Sequence, residues 1–377
     1  MTHPPTPPAE CFPWRRARLC EELAKKCAAP LEAILVSNPI NVSWLTGFTG
    51  DSSLLLLGPG RTILISDFRF VTQLAEECPG LETWIRTSDV KLHEAAAKVL
   101  GEQKLHQVGY EGSHLTCEAF GQMAEATSGV QWTAVNSLIE DLRAVKDAWE
   151  LQELRHAVDL ADRGLKFLRS HLTPDMTERE AAAELEHAIR RFGADKLAFP
   201  AIIGVGDRGA LPHYRAGALR IQDAPTVLVD WGALTLGHYH SDLTRVLVTG
   251  KPSDKFRRVY DIVLQAQLRA IAAIRPGAKC SDVDAVARGY ITDAGFGKEF
   301  GHGLGHGIGM NIHEQPRFSP ASKNVLEPGM VVTVEPGIYI PSEFGVRIED
   351  DILVTADGNE VLSAIVPKDY ESARLRW

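Results

Sequence analysis

VLVDWGA (Val227–Ala233), then a turn, then SDLTRVLVTG (Ser241–Gly250), has a counterpart later in the chain: VTVEPGI (Val332–Ile338), then a turn, then RIEDDILVTADG (Arg347–Gly358). In each copy an apolar strand ends in an acid, a glycine follows two residues on, and a second acid opens the return strand. Asp230 and Asp242 are 12 residues apart, Glu335 and Glu349 are 14 apart, and the copies are offset by 105 residues at the first acid and 107 at the second. His213 and His313, 100 residues apart, fall on the same side of their hairpins, and helical sequence precedes each half. Such self-similarity implies a pseudo-two-fold domain of two like units with four acids converging near its axis.

A carboxylate inside VLVDW or VVTVEP carries a large desolvation cost, so it needs a cation or a hydrogen-bonded partner. One such acid alone reads as a salt-bridged or hairpin-end residue; its repetition in both halves reverses that reading. Four clustered carboxylates raise one another's pKa, and two divalent cations neutralise four of them plus an imidazole. GHGLGHGIG (Gly301–Gly309) offers the imidazole, with His302 and His306 four apart and glycines that permit close backbone approach. Oxygen-rich ligation with one nitrogen suits manganese, cobalt, iron or catalytic zinc rather than a thiolate site. Two metals about 3.5 to 4 Å apart can share a water, lower its pKa and polarise a carbonyl, which is a hydrolase's equipment. Glu335 is then the candidate proton acceptor, and His213 and His313 are candidate donors to the intermediate.

The remainder of the chain frames that site. Its 377 residues favour two domains, and 45% apolar with 24% charged residues describes a water-soluble globular protein. A net charge of −9 and a pI near 5.8 disfavour nucleic-acid and anionic-membrane partners. No apolar run is long enough to span a bilayer, and MTHPPTPPAE lacks the basic and apolar regions of an export signal, so a cytoplasmic location is expected. Cys11, Cys20, Cys27, Cys78, Cys117 and Cys280 are scattered without a C-x-x-C pair and read as reduced thiols.

Over residues 1–140, Ala33–Ser37, Ser53–Leu57 and Arg61–Ser66 read as strands, punctuated by turns at Asn38-Pro39 and Gly58-Pro59-Gly60. Helical patterns at about Phe68–Glu77 and Lys91–Leu100 complete a small α/β domain. Residues 141–377 open on a long amphipathic helix with an Asp147/Glu150 capping box. A second helix starts at Thr177 with Glu180 as its partner and stops at Gly193. A third runs from about Ser253 to Arg275 before Pro276-Gly277. The fourth is predicted to begin at Ser281, with Asp284 as its capping partner, and to end near Gly295.

With these residues in hand, the sequence resembles the pita-bread metallopeptidases, in the branch holding aminopeptidase P, prolidase and creatinase. LPHY (Leu211–Tyr214), DWGA with SDLTR, HGLGHGIG with NIHE (Asn311–Glu314), VEPGIY (Val334–Tyr339) and VRIED (Val346–Asp350) carry the resemblance. NVSWLTGFTG (Asn41–Gly50) and ISDFRF (Ile65–Phe70) look like the creatinase-type N-terminal domain. It implies an α/β (α+β) chain: that N-terminal domain, then a pseudo-two-fold pita-bread catalytic domain with a curved, mainly antiparallel sheet. It further implies five ligands, Asp230, Asp242, His306, Glu335 and Glu349, with Asp242 and Glu349 bridging two divalent metals. Asp230 would complete one site, and His306 with Glu335 the other. His213, His302, His313, Tyr339 and Arg347 fall on the substrate side, Arg347 suited to a carboxylate or carbonyl. Manganese leads among the metals, with cobalt, zinc or iron(II) as alternatives, and a homodimer is the expected assembly.

The implied reaction is hydrolysis of an N-terminal Xaa-Pro bond, a tertiary amide that general peptidases handle poorly. Dipeptide and longer proline-containing substrates both fit this reading. The complete ligand set argues against creatine hydrolysis and against a non-catalytic scaffold of the same fold, and the N-terminal domain argues against methionine aminopeptidase. A non-proline aminopeptidase is the further alternative. Two departures stand out. The Asp230–Asp242 interval is one residue longer than expected, placed in the turn around Thr235–Gly237, and His238 and His240 should share the face of Asp242 by strand alternation. A structural or solvent role for both is the expectation, with contact to the ligands as the alternative.

Overall fold

The computed structural model describes residues 7, 8, 10–26 and 30–375, so Cys27 lies outside the described residues. The chain divides into two compact units that meet in sequence between Leu142 and Arg143. The N-terminal unit opens with α1 (Cys11–Lys26) and is built on six strands: β1 (Ala33–Val36), β2 (Leu54–Gly58), β3 (Arg61–Asp67), β4 (Glu82–Arg86), β5 (Gln107–Tyr110) and β6 (Gln131–Ala134). They lie in the order β4-β3-β2-β1-β5-β6. The two hairpin pairs β1/β2 and β2/β3 are antiparallel and the other three pairs are parallel. Helices α2 (Pro39–Thr46), α3 (Val71–Glu77), α4 (Leu92–Glu102), α5 (Cys117–Ala126) and α6 (Leu138–Ala144) connect or follow the strands. Asn38-Pro39, expected as a turn, starts α2 instead. The Asn38 side chain accepts from Ile40 N at 3.1 Å, and proline's fixed φ suits the first helical position.

In the C-terminal unit a helix pair precedes each acidic hairpin. The first is α7 (Ala148–His171) with α8 (Glu178–Arg191), and the second is α9 (Asp254–Ala273) with α10 (Cys280–Asp293). Asp147 and Thr177 cap α7 and α8 reciprocally with Glu150 and Glu180. The fourth predicted cap is corrected: Lys279 precedes α10, and Ser281 lies inside it. Asp284 has other work, since its carboxylate binds Arg288 at 2.7 and 2.8 Å and accepts from Leu304 N at 3.1 Å.

Between the first helices and α9 come β7 (Lys196–Leu197), β8 (Ile202–Val205), β9 (Thr226–Trp231), β10 (Ala233–Leu234) and β11 (Leu243–Val248). After α10 come β12 (Gly305–Gly307), β13 (Glu314–Phe318), β14 (Val331–Val334), β15 (Gly337–Ile340), β16 (Phe344–Arg347), β17 (Asp350–Val354) and β18 (Asn359–Val361), and then α11 (Tyr370–Ala373). One antiparallel sheet has the order β11-β9-β8, another β13-β12-β14-β17-β18. A bridge between Thr244 and Glu349, with Glu349 N donating to Thr244 O, joins the two hairpins. Strands β9, β11, β14 and β17 are buried on both faces, so they read as continuous apolar runs. Val227, Val229 and Trp231 pack with α7 and α8, and Leu228 packs with α9 and α10. Alternation therefore sets Asp230 on the face of Leu228.

Candidate metal centre

Each acid is delivered by a strand whose position is fixed elsewhere. Trp231 Nε1 donates to Ala161 O of α7 at 2.9 Å, and Ser241 Oγ donates to Ala157 O at 3.1 Å, so α7 holds both strands of the first hairpin beside Asp230 and Asp242. Arg245, buried in β11, donates to Glu349 O at 2.6 Å and to Asp350 Oδ1 at 2.7 Å, aligning the second hairpin on the first. Asp242 N donates to Asp351 Oδ2 at 3.1 Å across the same junction. The sequence reading missed Arg245 and Asp351. The signal available was SDLTR and VRIEDD, charges set in strands too apolar to be solvated.

His306 occupies the middle of β12, between β13 and β14, and not a flexible loop. The flanking glycines are required: a Cβ on Gly305 would sit 2.1 Å from Thr333 O, and one on Gly307 2.0 Å from Gln315 O. His306 Nδ1 lies 3.0 Å from Gly307 O, which places its proton there and leaves Nε2 as a lone pair facing the acids. Nε2 is 3.6 Å from both Asp242 Oδ2 and Glu335 Oε1, beyond hydrogen-bonding distance. Asp242, His306 and Glu349 present donor atoms all within 4.8 Å of one another.

The charge state says what these donors lack. Burial, reinforced by the neighbouring carboxylates, pushes Asp242 and Glu349 well above the ordinary carboxylate range. Burial raises Glu335 to about 8 against the pull of Arg347, and lowers His306 to about 3. Asp230 is raised less far, because Arg347 opposes its burial, yet its Oδ1 is buried with no partner among the described residues. Four buried acids that share the single guanidinium of Arg347, a neutral imidazole and an orphaned carboxylate oxygen fit a site for divalent cations.

Arg347 is wholly engaged: Nη2 binds Asp230 Oδ2, Nε donates to Thr244 Oγ1 at 3.0 Å and Nη1 to Tyr339 Oη at 2.8 Å. Tyr339 Oη is also 2.9 Å from His302 Nε2, so His302, Tyr339 and Arg347 form a chain ending on Asp230. Burial holds His302 down at about 4. The cavity beside the acids encloses about 1020 Å³ and is also lined by His213, His313 and Arg317. His313 meets His306 edge-on, ring centroids 4.4 Å apart. The exposed Arg317 guanidinium, which sequence reading passed over, makes no ion pair among the described residues. Strand alternation fails for His238 and His240, because 235–239 closes as a turn: Tyr239 O accepts from Thr235 N, and His238 sits exposed at φ 66°.

The fold and the donor set define a metal-dependent hydrolase. Residues 152–356 match the model of metallopeptidase family M24, and residues 15–145 match the creatinase/prolidase N-terminal domain. Among solved structures, a Xaa-Pro dipeptidase from Bacillus anthracis superposes with a TM-score of 0.90 at 38% identity, covering 95% of this chain and 99% of that one. An X-Pro aminopeptidase from Thermotoga maritima gives 0.86 at 31%, covering 94% and 99%. A curated Xaa-Pro dipeptidase from Pyrococcus furiosus is 35% identical over 88% of this chain and 93% of its own length. The chain belongs to metallopeptidase family M24, with a creatinase-type N-terminal domain before a pita-bread catalytic domain. Among the described residues no helix is long and apolar enough to cross a membrane.

Proposed function

We propose that this chain hydrolyses the Xaa-Pro bond of short peptides, dipeptides first, with two divalent cations held by Asp230, Asp242, His306, Glu335 and Glu349. The observation that carries this reading is the convergence of Asp242, His306 and Glu349 beside the cavity, where neighbouring carboxylates and burial outweigh the pull of Arg347 on Glu349 and hold both acids well above the ordinary carboxylate range. When bound, the metal pair supplies a water of lowered pKa and a Lewis-acid contact to the scissile carbonyl. Glu335 takes the proton of the attacking water as the C–O bond forms, and returns it to the prolyl nitrogen as the C–N bond breaks. That nitrogen carries no hydrogen in the substrate and needs one to leave as an amine. His213 and His313, from opposite halves, hydrogen-bond the carbonyl and the intermediate.

Arg317 favours the dipeptide. With Arg347 committed to Asp230, Tyr339 and Thr244, the cavity-lining guanidiniums available for a C-terminal carboxylate are Arg317 and Arg215, of which Arg317 lies four residues beyond His313 on the adjoining strand β13. The aminopeptidase alternative is supported by the size of the cavity, at the upper end of ordinary ligand pockets. Manganese-loaded protein assayed on Ala-Pro, Ala-Pro-Ala and Ala-Ala separates the readings. Cleavage of Ala-Pro alone is expected. Cleavage of the tripeptide selects the aminopeptidase type, and equal cleavage of Ala-Ala removes proline specificity. A homodimer is the working assembly, read by sedimentation of the same preparation, and a cytoplasmic location is read separately by fractionation of cells.

A further inference from the structure

His240 is the residue that set the first hairpin apart in sequence, and it reaches across to the turn that carries His313. Its backbone N–H donates to Gly309 O at 2.9 Å, and its ring Nδ1 lies 3.0 Å from the same oxygen. A carbonyl has two lone pairs, so both bonds form together when the imidazole proton sits on Nδ1. Gly309 begins the turn from β12 to β13. Its other end is held by the buried Glu314, whose Oε1 accepts from Asn311 N at 3.0 Å. Glu314 is gripped in turn by two buried cations, Arg143 and Lys146, the latter at 3.1 Å. A Cβ on Gly309 would lie 2.7 Å from Glu314 Oε2, so the turn's backbone rests directly on that carboxylate. His313 stands between these two anchors and presents its ring to His306 and the cavity.

The backbone bond alone would satisfy Gly309 O. The second bond, from the ring, fixes the direction of that carbonyl and with it the path of an irregular turn, which has few other ways to hold a side chain in one place. We propose that His240 is a positioning residue for His313, acting through the Gly309 carbonyl. The inference rests on the reading of the site as a hydrolase in which His313 faces the substrate. His240 also makes the better probe, because cutting Glu314, Arg143 or Lys146 would strand a buried charge and endanger the fold.

The test uses the full-length, metal-loaded chain with Ala-Pro as substrate. His240→Ala is expected to lower kcat by between about 10- and 100-fold, the cost of misplacing a reacting group by about an ångström, while KM and bound metal stay at wild-type values. His240→Asn, whose Nδ2 falls where Nδ1 was, should recover most of that loss, and His240→Gln, one carbon longer, should not. In a His313→Ala background His240→Ala should cost nothing more. An unchanged kcat in His240→Ala, an equal loss in the Ala and Asn variants, or a fully additive loss with His313→Ala overturns the proposal. Hydrogen exchange over residues 308–314 reads the clamp without any turnover. Faster exchange in His240→Ala or His240→Gln than in His240→Asn supports it, and exchange equal to wild type in all three overturns it. If wild-type protein leaves Ala-Pro intact, the peptidase reading fails while the exchange measurement still decides the clamp. Should His240→Ala fail to fold, the Asn and Gln pair carries the same comparison.

Discussion

In the first acidic hairpin Asp230 is bound by Arg347, a residue of the second; in the second hairpin Glu349 accepts a 2.6 Å hydrogen bond from Thr244, a residue of the first. The halves thus hold one another's acids, and the site exists only when both are folded. They differ in charge. Asp230 has a resident cation, whereas the dominant neighbours of Asp242 are other carboxylates, and Glu349 is pushed up by Glu335 and Asp230 before Arg347 pulls it back. They differ in register as well. Asp230 faces Thr244 across its hairpin, while the ladder of the second hairpin ends at Val334 with Asp350, so Glu335 N turns to Leu304 O and Glu349 N to Thr244 O. A duplicated plan has diverged so that one acid is paired directly with a guanidinium, and the other three are those whose charge the proposed cations would balance.

The largest expected effect comes from the acids without a resident cation. Asp242→Asn or Glu349→Gln should lower kcat/KM at least about a thousandfold, some 4 kcal/mol of transition-state stabilisation, with the circular dichroism spectrum retained. Undiminished hydrolysis with metal content verified would remove the dinuclear reading. Next, Arg347→Met should destabilise the chain by about 3 kcal/mol in urea, since it strands Asp230 and unties Tyr339 and Thr244; a loss below about 0.5 kcal/mol would show that the halves do not depend on this tie. His313→Ala should reduce kcat about 100-fold with little change in KM, whereas His213→Ala should act mainly on KM. Equal kcat losses would mean that the two histidines are as equivalent as their spacing. Arg317→Ala should raise KM for Ala-Pro about tenfold, or about 1.4 kcal/mol, and leave Ala-Pro-Ala unaffected.

The smallest effect is on pH dependence. Glu335 is raised from 4.5 to about 8 in the metal-free fold. A raised carboxyl contributes stability that is fully present below pH 4.5 and is lost as pH rises through about 8. Bound metal requires the ionised form and cancels that loss, so metal should raise the melting temperature more at pH 8.5 than at pH 6. A metal-induced rise that shrinks with pH would contradict the assignment.

What was legible in the sequence was whatever one segment fixes by itself. The Asp147 and Thr177 capping boxes are local, and the acids ending VLVD and VTVE announce themselves by sitting where the surrounding residues forbid solvation. Partnerships across the halves were not legible. Arg347 could be assigned to the site region, but that all its nitrogens are occupied depends on Thr244, Tyr339 and Asp230 meeting in space. Asp284 looked like a cap because its spacing from Ser281 suits one, and the stronger pull of Arg288 one turn away decided otherwise. His238 and His240 were given strand alternation, which the turn at Thr235–Tyr239 abolishes.

The shared dependence of the two halves on metal is tested most directly by stripping the protein and titrating manganese back, reading bound metal and Ala-Pro hydrolysis in the same samples. Activity is expected to be absent without metal, to follow occupancy, and to reach its plateau at two equivalents per chain. Full hydrolysis by stripped protein, or a plateau at one equivalent, would contradict a centre built from both hairpins around two cations.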